Sequence, residues 1–323
     1  MRGCLRWLGI AMVVVIAAAL IVPLLIPYPP TPAAAEPEQL ADPDSQFIEV
    51  NGLRVHVKVA GQGEPALILL HGLGSSTVSW EQVAGPLAER RLVISLDRPG
   101  FGLTERPMRG QWTGESPYSP TAQADMIVAL MDKLGVQQAI LVGHSAGGTI
   151  AAITALRHPQ RTRALVLVAA AIYQGGGAPA WIRPLLATPQ MRKIGPLLVR
   201  YIFGSRGEQI IRSAWYDPSK ITPELLARYQ RPLRIPNWDR AFWEVTLATQ
   251  PLNLAERLDE LTMPALVITG DRDTWVATDL SVRLADELPQ GQLAVIPQCG
   301  HVPQEEQPAE FLRIIIPFLE TLR

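Results

Sequence analysis

Ser145 stands in "AILVGHSAGGTIAAI", residues 139 to 153, where an apolar run is cut by one hydroxyl with glycines close on either side. A serine so placed belongs to an idle loop, a phosphate-cradling turn or a nucleophile on a tight bend. Gly143-His144-Ser145-Ala146-Gly147 fits G-x-S-x-G, with a continuous apolar strand before it and the small-residue stretch "GGTIAAITALRH" after it. That strand–turn–helix context is what the pattern requires of a strained, outward-facing serine. Gly143 and Gly147 keep bulk away from the bend, and the following helix start directs amides toward developing negative charge. Neither a G-x-x-x-x-G-K-[ST] loop nor a dinucleotide G-x-G-x-x-G is present there, which sets phosphate binding aside.

A serine hydroxyl needs a base within hydrogen-bond reach. His56 falls in an exposed-looking hairpin strand, His71 precedes a Gly-rich turn, His144 is expected to point elsewhere on the bend, and His158 closes a helix before Pro159. His301 remains, in the loop "IPQCGHVPQEEQPAEF" between the last strand and the last helix. The acid that orients it comes from "ITGDRDTWVA", which offers Asp271 and Asp273. Asp273 is preferred because it lies further into the loop, while Asp271 suits a turn cap. Two backbone donors complete such a site. One is the amide of Ala146, the residue after the nucleophile; the other is that of Leu73 in "LLHGLGSS".

These groups must be positioned by a sheet. "FIEVNGLRVHVKVAG" reads as two alternating strands joined by Asn51-Gly52, a strong hairpin signal. After it come short continuous strands at 66–70, 92–96, 139–142, 164–168, 265–269 and 293–296, separated by helical stretches. Unalternated Val/Ile/Leu strands between helices predict a mostly parallel, roughly eight-stranded α/β sheet with helices on both faces. Ser119-Pro120 reads as an N-cap and N1 pair opening one of those helices.

Nearly a hundred residues separate the strand ending at Val168 from the one beginning at Ala265, too many for a loop. Scattered prolines and aromatics there predict an inserted cap of short helices at about 172–250. Trp181, Trp215, Trp238 and Trp243 are candidate substrate-binding side chains, against the plainer alternative that they form the cap's own core. Residues 171–250 carry eleven Lys/Arg and five Asp/Glu, a local charge of +6. This is either a solvated basic face or one that attends anionic lipid.

Composition bounds the rest. The 323 residues are 48% apolar with a net charge of −1, which sets nucleic acid aside. Cys4 and Cys299 are too few and too far apart for a disulfide framework, and the histidines lack metal-ligand spacing, so no metal or cofactor is expected. Residues 1–26 contain "LGIAMVVVIAAALIVPLLI", 19 uncharged residues preceded by Arg2 and Arg6. The run is long enough to cross a bilayer, and the flanking arginines put the remainder outside the cytoplasm. A retained transmembrane helix is preferred over a cleaved secretory signal with a cut near Ala33 to Glu36. Residues 27–44, with six prolines, predict an extended spacer between this anchor and the domain at 45–323.

Residues 45–323 resemble the α/β-hydrolase fold superfamily through "HGLGSS", "DRPGFGLTERP", "GHSAGG", "GDRD" and "GHVPQEEQP", in that order. The resemblance implies Ser145 as nucleophile, Asp273 as acid, His301 as base, a helical lid, and a structural role for Asp97. A serine at the nucleophile position argues against the epoxide-hydrolase and haloalkane-dehalogenase branches, and "HGLG" argues against the "HGGG" esterase branch. Serine esterases, lipases, thioesterases, acyltransferases, perhydrolases and carbon–carbon bond hydrolases remain. The expectation is a membrane-anchored serine hydrolase acting on a small apolar carboxylic ester through an acyl-enzyme. The contrasting expectation is a ligand-binding member of the fold without turnover.

Overall fold

The computed structural model describes the chain apart from Met1, Gly175, Gly176, Ala180, Pro251 and Arg323. Helix α1 (Arg2–Leu25) opens it, 24 residues or about 36 Å long at 1.5 Å per residue. Its stretch Arg6–Leu25 has a mean hydropathy of 2.9 and is long and apolar enough to cross a membrane. The Pro-rich segment does not stand free as a spacer. It lies along the cap, with the Tyr28 hydroxyl donating to Asp239 at 2.7 Å and Arg200 donating to the carbonyls of Pro29 and Pro30. Its end carries one helical turn, α2 (Pro37–Leu40), whose Leu40 is buried with Ala35, Leu103 and Ile235. Proline carbonyls lack no acceptor capacity, and the cap's arginines supply the donors; composition alone does not reveal that pairing.

Strands β1 (Ser45–Val50) and β2 (Leu53–Ala60) form the expected hairpin, with Asn51 and Gly52 both at positive φ. The sheet continues through β3 (Ala66–Leu70), β4 (Val93–Leu96), β5 (Ala139–His144), β6 (Thr162–Val168), β7 (Ala265–Gly270) and β8 (Gly291–Ile296). Its eight strands run in the order β1-β2-β4-β3-β5-β6-β7-β8, parallel from β4 onward. The order reverses at β3, because β4 lies on one side of it and β5 on the other. A crevice opens at the carboxyl ends of strands at such a switch point, and the loops after β3 and β5 both end there.

Successive side chains of the central strands point to opposite faces, and both faces are covered. Leu67 and Leu69 pack with α3 (Glu81–Ala88) and with Phe311 and Ile315 of the last helix. Ile68 and Leu70 pack with α4 (Pro120–Lys133) and α5 (Ala146–Arg157). Each fully buried Leu or Ile contributes about 1.5–3 kcal/mol. Ser119 caps α4 as expected, accepting from the Ala122 amide.

The cap consists of α6 (Arg183–Leu186), α7 (Pro189–Ser205), α8 (Gly207–Ser213), α9 (Pro223–Gln230) and α10 (Trp238–Ala248). Two of its scattered prolines start helices: Pro189 and Pro223 each follow a threonine whose hydroxyl caps the helix, while Pro196 sits inside α7. After β7 come α11 (Thr278–Glu287), then α12 (Pro303–Glu306) and α13 (Pro308–Glu320) beyond β8.

Candidate active site

Ser145 joins β5 to α5 with φ 51° and ψ −120°, a strained conformation for a residue with a side chain. The glycines around it allow the bend. A Cβ on Gly143 would meet the Gly147 carbonyl oxygen at 2.5 Å, and one on Gly147 would meet the Leu70 carbonyl oxygen at 2.1 Å. The Ser145 carbonyl accepts from the amides of Gly148, Thr149 and Ala171. In a trans peptide the N–H points opposite to the C=O, so the Ala146 amide is aimed away from the helix.

The same reasoning orients the loop after β3. Buried Arg98 donates Nε to the His71 carbonyl and Nη2 to that of Gly72, while Nη1 goes to Gln123. The His71 ring also donates Nδ1–H to the Gly72 carbonyl at 2.7 Å and accepts the Arg98 amide on Nε2. Burial and the Arg98 charge push the His71 pKa down to about 3, so it is neutral. With the Gly72 carbonyl turned toward Arg98 and His71, the Leu73 N–H faces the other way. The loop is packed closely on the serine motif: a Cβ on Gly72 would stand 2.9 Å from His144 Nδ1 and 3.3 Å from the Cβ of Ser145.

His301 Nδ1 lies 2.8 Å from Asp273 Oδ2. The other carboxylate oxygen of Asp273 accepts the amides of Trp275 and Val276 at 2.8 and 2.9 Å, which fixes the carboxylate plane. Asp271 instead accepts from the Cys299 amide. The His301 amide donates to the Ala214 carbonyl at 2.7 Å, so the cap holds one side of its backbone. Its carbonyl accepts from His144 Nε2 at 2.8 Å. His144 therefore points at the histidine loop; as a donor to a carbonyl, and with burial holding its pKa well below the usual histidine range, it is neutral. The Trp275 ring stacks on the His301 ring at 5.3 Å.

Ser145, His301, Leu73, Ala146 and Trp215 line one cavity of about 470 Å³. A second, of about 490 Å³, shares Leu73, Ala146, Ala171 and Gln174 with it, so the two meet at the serine's amide donors. Among the described residues, no Lys, Arg, Asp or Glu lines the first. In the second, Arg98 is committed to the bonds above, and Glu256 is exposed.

Four sequence-based expectations change here. Trp181 does not line either cavity and is 80% exposed; Trp238 and Trp243 pack with Val199 in the cap's own core, on the inward side of α10. His56 is buried, its Nδ1 2.7 Å from Asp97 and its Nε2 2.8 Å from the Ser45 hydroxyl. Asp97 also accepts the Thr77 and Leu103 amides, in keeping with a structural role. The structure adds Arg98, His144 and Trp275 around the site, which the sequence reading does not place there. Arg98 sits in "DRPGFG" beside Asp97, and His144 in the serine motif itself, so the motifs contained both.

Residues 65–308 match the family model of the alpha/beta hydrolase fold. The chain is 32% identical over 291 residues to a 2-hydroxy-6-oxo-6-phenylhexa-2,4-dienoate hydrolase of Burkholderia cepacia, spanning 85% of this chain and 96% of that protein. It is 32% identical to a 2-hydroxymuconate semialdehyde hydrolase of Pseudomonas sp. strain CF600, spanning 83% and 91%. A thermophilic esterase from Thermogutta terrifontis superposes with a TM-score of 0.71 at 24% identity, over 86% of this chain and 99% of that one, a likeness of fold.

Proposed function

The chain belongs to the alpha/beta hydrolase fold family and is a hydrolase, and from that premise we propose that it is a membrane-anchored serine esterase for an uncharged ester with two apolar arms. In this reading His301 Nε2 takes the Ser145 proton as the serine oxygen attacks the ester carbonyl, and Asp273 stabilises the imidazolium that forms. The tetrahedral oxyanion rests on the Leu73 and Ala146 amides. The alcohol leaves with the proton from His301, and water, deprotonated in turn by His301, frees the acid from Ser145.

The observation that carries the ester reading is that, among the described residues, no Lys, Arg, Asp or Glu lines the cavity at Ser145. The Burkholderia relative is named for a dienoate, an anion whose carboxylate calls for a cation or several free donors. An ester with an acyl arm in one cavity and an alcohol arm in the other presents no such charge. The second reading, hydrolysis of a carbon–carbon bond next to a ketone by the same serine, is favoured by the names of both relatives.

Nitrophenyl esters of increasing acyl length and a 2-hydroxy-6-oxodienoate are to be compared on wild type and Ser145→Ala. The proposal expects ester turnover that rises with acyl length, is lost in Ser145→Ala, and exceeds dienoate turnover by about 100-fold or more. The reverse preference would establish the second reading. No turnover of either, with no fluorophosphonate labelling of Ser145, would leave a binding protein.

A further inference from the structure

Helix α7 presents three faces. Gly195, Pro196 and Val199 are buried against the rest of the cap, and Phe203 of the same face lines the Ser145 cavity. Gln190, Lys193 and Arg200 face the N-terminal segment: Gln190 Nε2 donates to the Leu20 carbonyl at 2.9 Å, Lys193 Nζ to that of Ile26 at 3.1 Å, and Arg200 to those of Pro29 and Pro30. The third face, next to the second at 100° per residue, carries Leu198, Tyr201 and Ile202, which are 49%, 56% and 43% exposed. Trp181 and Leu185, just before α7, are 80% and 57% exposed.

The hydrogen bonds give this surface a depth. The uncharged run Leu8–Ile26 is about 28 Å long as a helix, barely the thickness of a hydrocarbon core of about 30 Å, so it has little room to slide along the bilayer normal. Leu20 is six residues before Ile26, which places its carbonyl about 9 Å inside the core when α1 spans. Gln190 is bonded to that carbonyl, so the start of α7 is carried in with it. Lys193, at Ile26, stands where a cation meets phosphate groups, and Arg200, at the prolines, stands outside. Leu198, Tyr201 and Ile202, at the level of Arg200, stand outside with it; Trp181 and Leu185, exposed just before the immersed start of α7, have lipid, not water, beside them.

We infer that Trp181 and Leu185, exposed just before the immersed start of α7, form a membrane-docking surface beside α1 in the leaflet on the catalytic side, from which the Ser145 cavity draws its substrate. The occupant is the upper acyl region of that leaflet, and the substrate class is an ester whose acyl chain already lies in it. Immersion of about 5–10 Å is the depth at which amphipathic surface helices rest. α7 runs from this level to Phe203 at the cavity wall, and the neighbouring α8 adds Ile210 and Ile211 to the same wall. The substrate half of the inference rests on the esterase reading above; the docking half does not.

The test uses the full chain in phosphatidylcholine vesicles with acyl chains brominated near the headgroup. The difference in tryptophan emission between wild type and Trp181→Phe isolates Trp181. The inference expects that component to be quenched by the bromines and shielded from aqueous iodide; iodide quenching without bromine quenching overturns it. In parallel, Leu185→Glu is expected to lower kcat/KM on a long-chain ester held in vesicles by about tenfold or more, with soluble p-nitrophenyl butyrate within about twofold of wild type. Equal loss on both esters, or loss on neither, overturns the substrate route. Should wild type cleave neither ester while Trp181 is quenched by bromine, the esterase reading fails and the docking surface stands.

Discussion

His144, the residue before Ser145, donates its Nε2 proton to the backbone carbonyl of His301 at 2.8 Å, and the two rings lie 4.8 Å apart. The bend that presents the serine is thus tied directly to the loop that presents the imidazole, across 157 residues of sequence. With the Ala214 carbonyl holding the amide of His301 and Asp273 holding its Nδ1, the ring has little freedom of its own.

Replacing His144 by phenylalanine keeps the ring and removes the donor. The expected result is a kcat about tenfold lower or more, with KM within about twofold, since a small displacement of the base acts on the chemical step. His144→Gln, whose amide can still donate, should recover most of the rate. A loss shared equally by both variants, or a loss confined to KM, would show that His144 only fills space.

Arg98 makes a separate prediction, because it acts through the Gly72 carbonyl on the Leu73 amide. Arg98→Ala frees that peptide to turn, and kcat/KM should fall by about 100-fold, the usual cost of one oxyanion donor. The discriminating measurement is inhibitor affinity: a boronic acid that mimics the tetrahedral state should lose affinity in parallel with kcat/KM, while a hydrocarbon that fills the cavity should bind as before. Equal weakening of both would mean that Arg98 supports the cavity as a whole.

The parts of this site that were legible in sequence are those whose chemistry leaves a local mark. Ser145 is marked by glycines that the bend cannot do without, and His301 and Asp273 by loops that follow buried strands. The cap tryptophans carry no such mark. Trp215, which lines the cavity from the turn after α8, and Trp243, which is packed into the cap core from α10, look alike in sequence because the side each segment buries is chosen by its neighbours. Gly195 decides it for Trp243: a Cβ there would lie 2.3 Å from the indole. The burial of His56 leaves no such mark either, as its partner Asp97 is 41 residues away. The Pro-rich segment read as a spacer because its bonds to Arg200 and Asp239 come from residues some 170 to 210 positions later.

Gly147→Ala tests the bend. The added methyl would collide with the carbonyl oxygens of Leu70, the last residue of central strand β3, and His71, the first of the loop after it, which is held by Arg98; neither can move cheaply. Destabilisation of about 3 kcal/mol is expected, at the upper end for overpacking, read as a lowered denaturant midpoint with an unchanged m value. An unaltered midpoint would mean that the strand yields and that the serine motif is looser than its geometry implies.

Glu305 sets a pH dependence of stability away from the catalytic groups. Its carboxyl is buried between the Ser79 hydroxyl, with which it makes a hydrogen bond, and the Tyr229 hydroxyl of the cap, at 2.7 and 2.8 Å from its two oxygens; Gln304 donates to the same Ser79. Burial, with a contribution from the Glu81 charge and against the Ser79 and Tyr229 hydrogen bonds, pushes its pKa up to about 7. The folded chain therefore holds a proton that the unfolded chain releases near 4.5. That contribution to stability is complete below the unfolded value and is lost as pH rises through about 7, amounting to about 3 kcal/mol in all at about 1.4 kcal/mol per unit. Glu305→Gln cannot ionise, yet its amide can still donate to Tyr229 and accept from Ser79. The difference in unfolding free energy between variant and wild type should thus move in favour of the variant from about pH 5 to about pH 8.5, levelling off above the folded pKa. A difference that does not change over that range would mean that Glu305 stays ionised in the fold, with Ser79 and Tyr229 both donating to a buried anion.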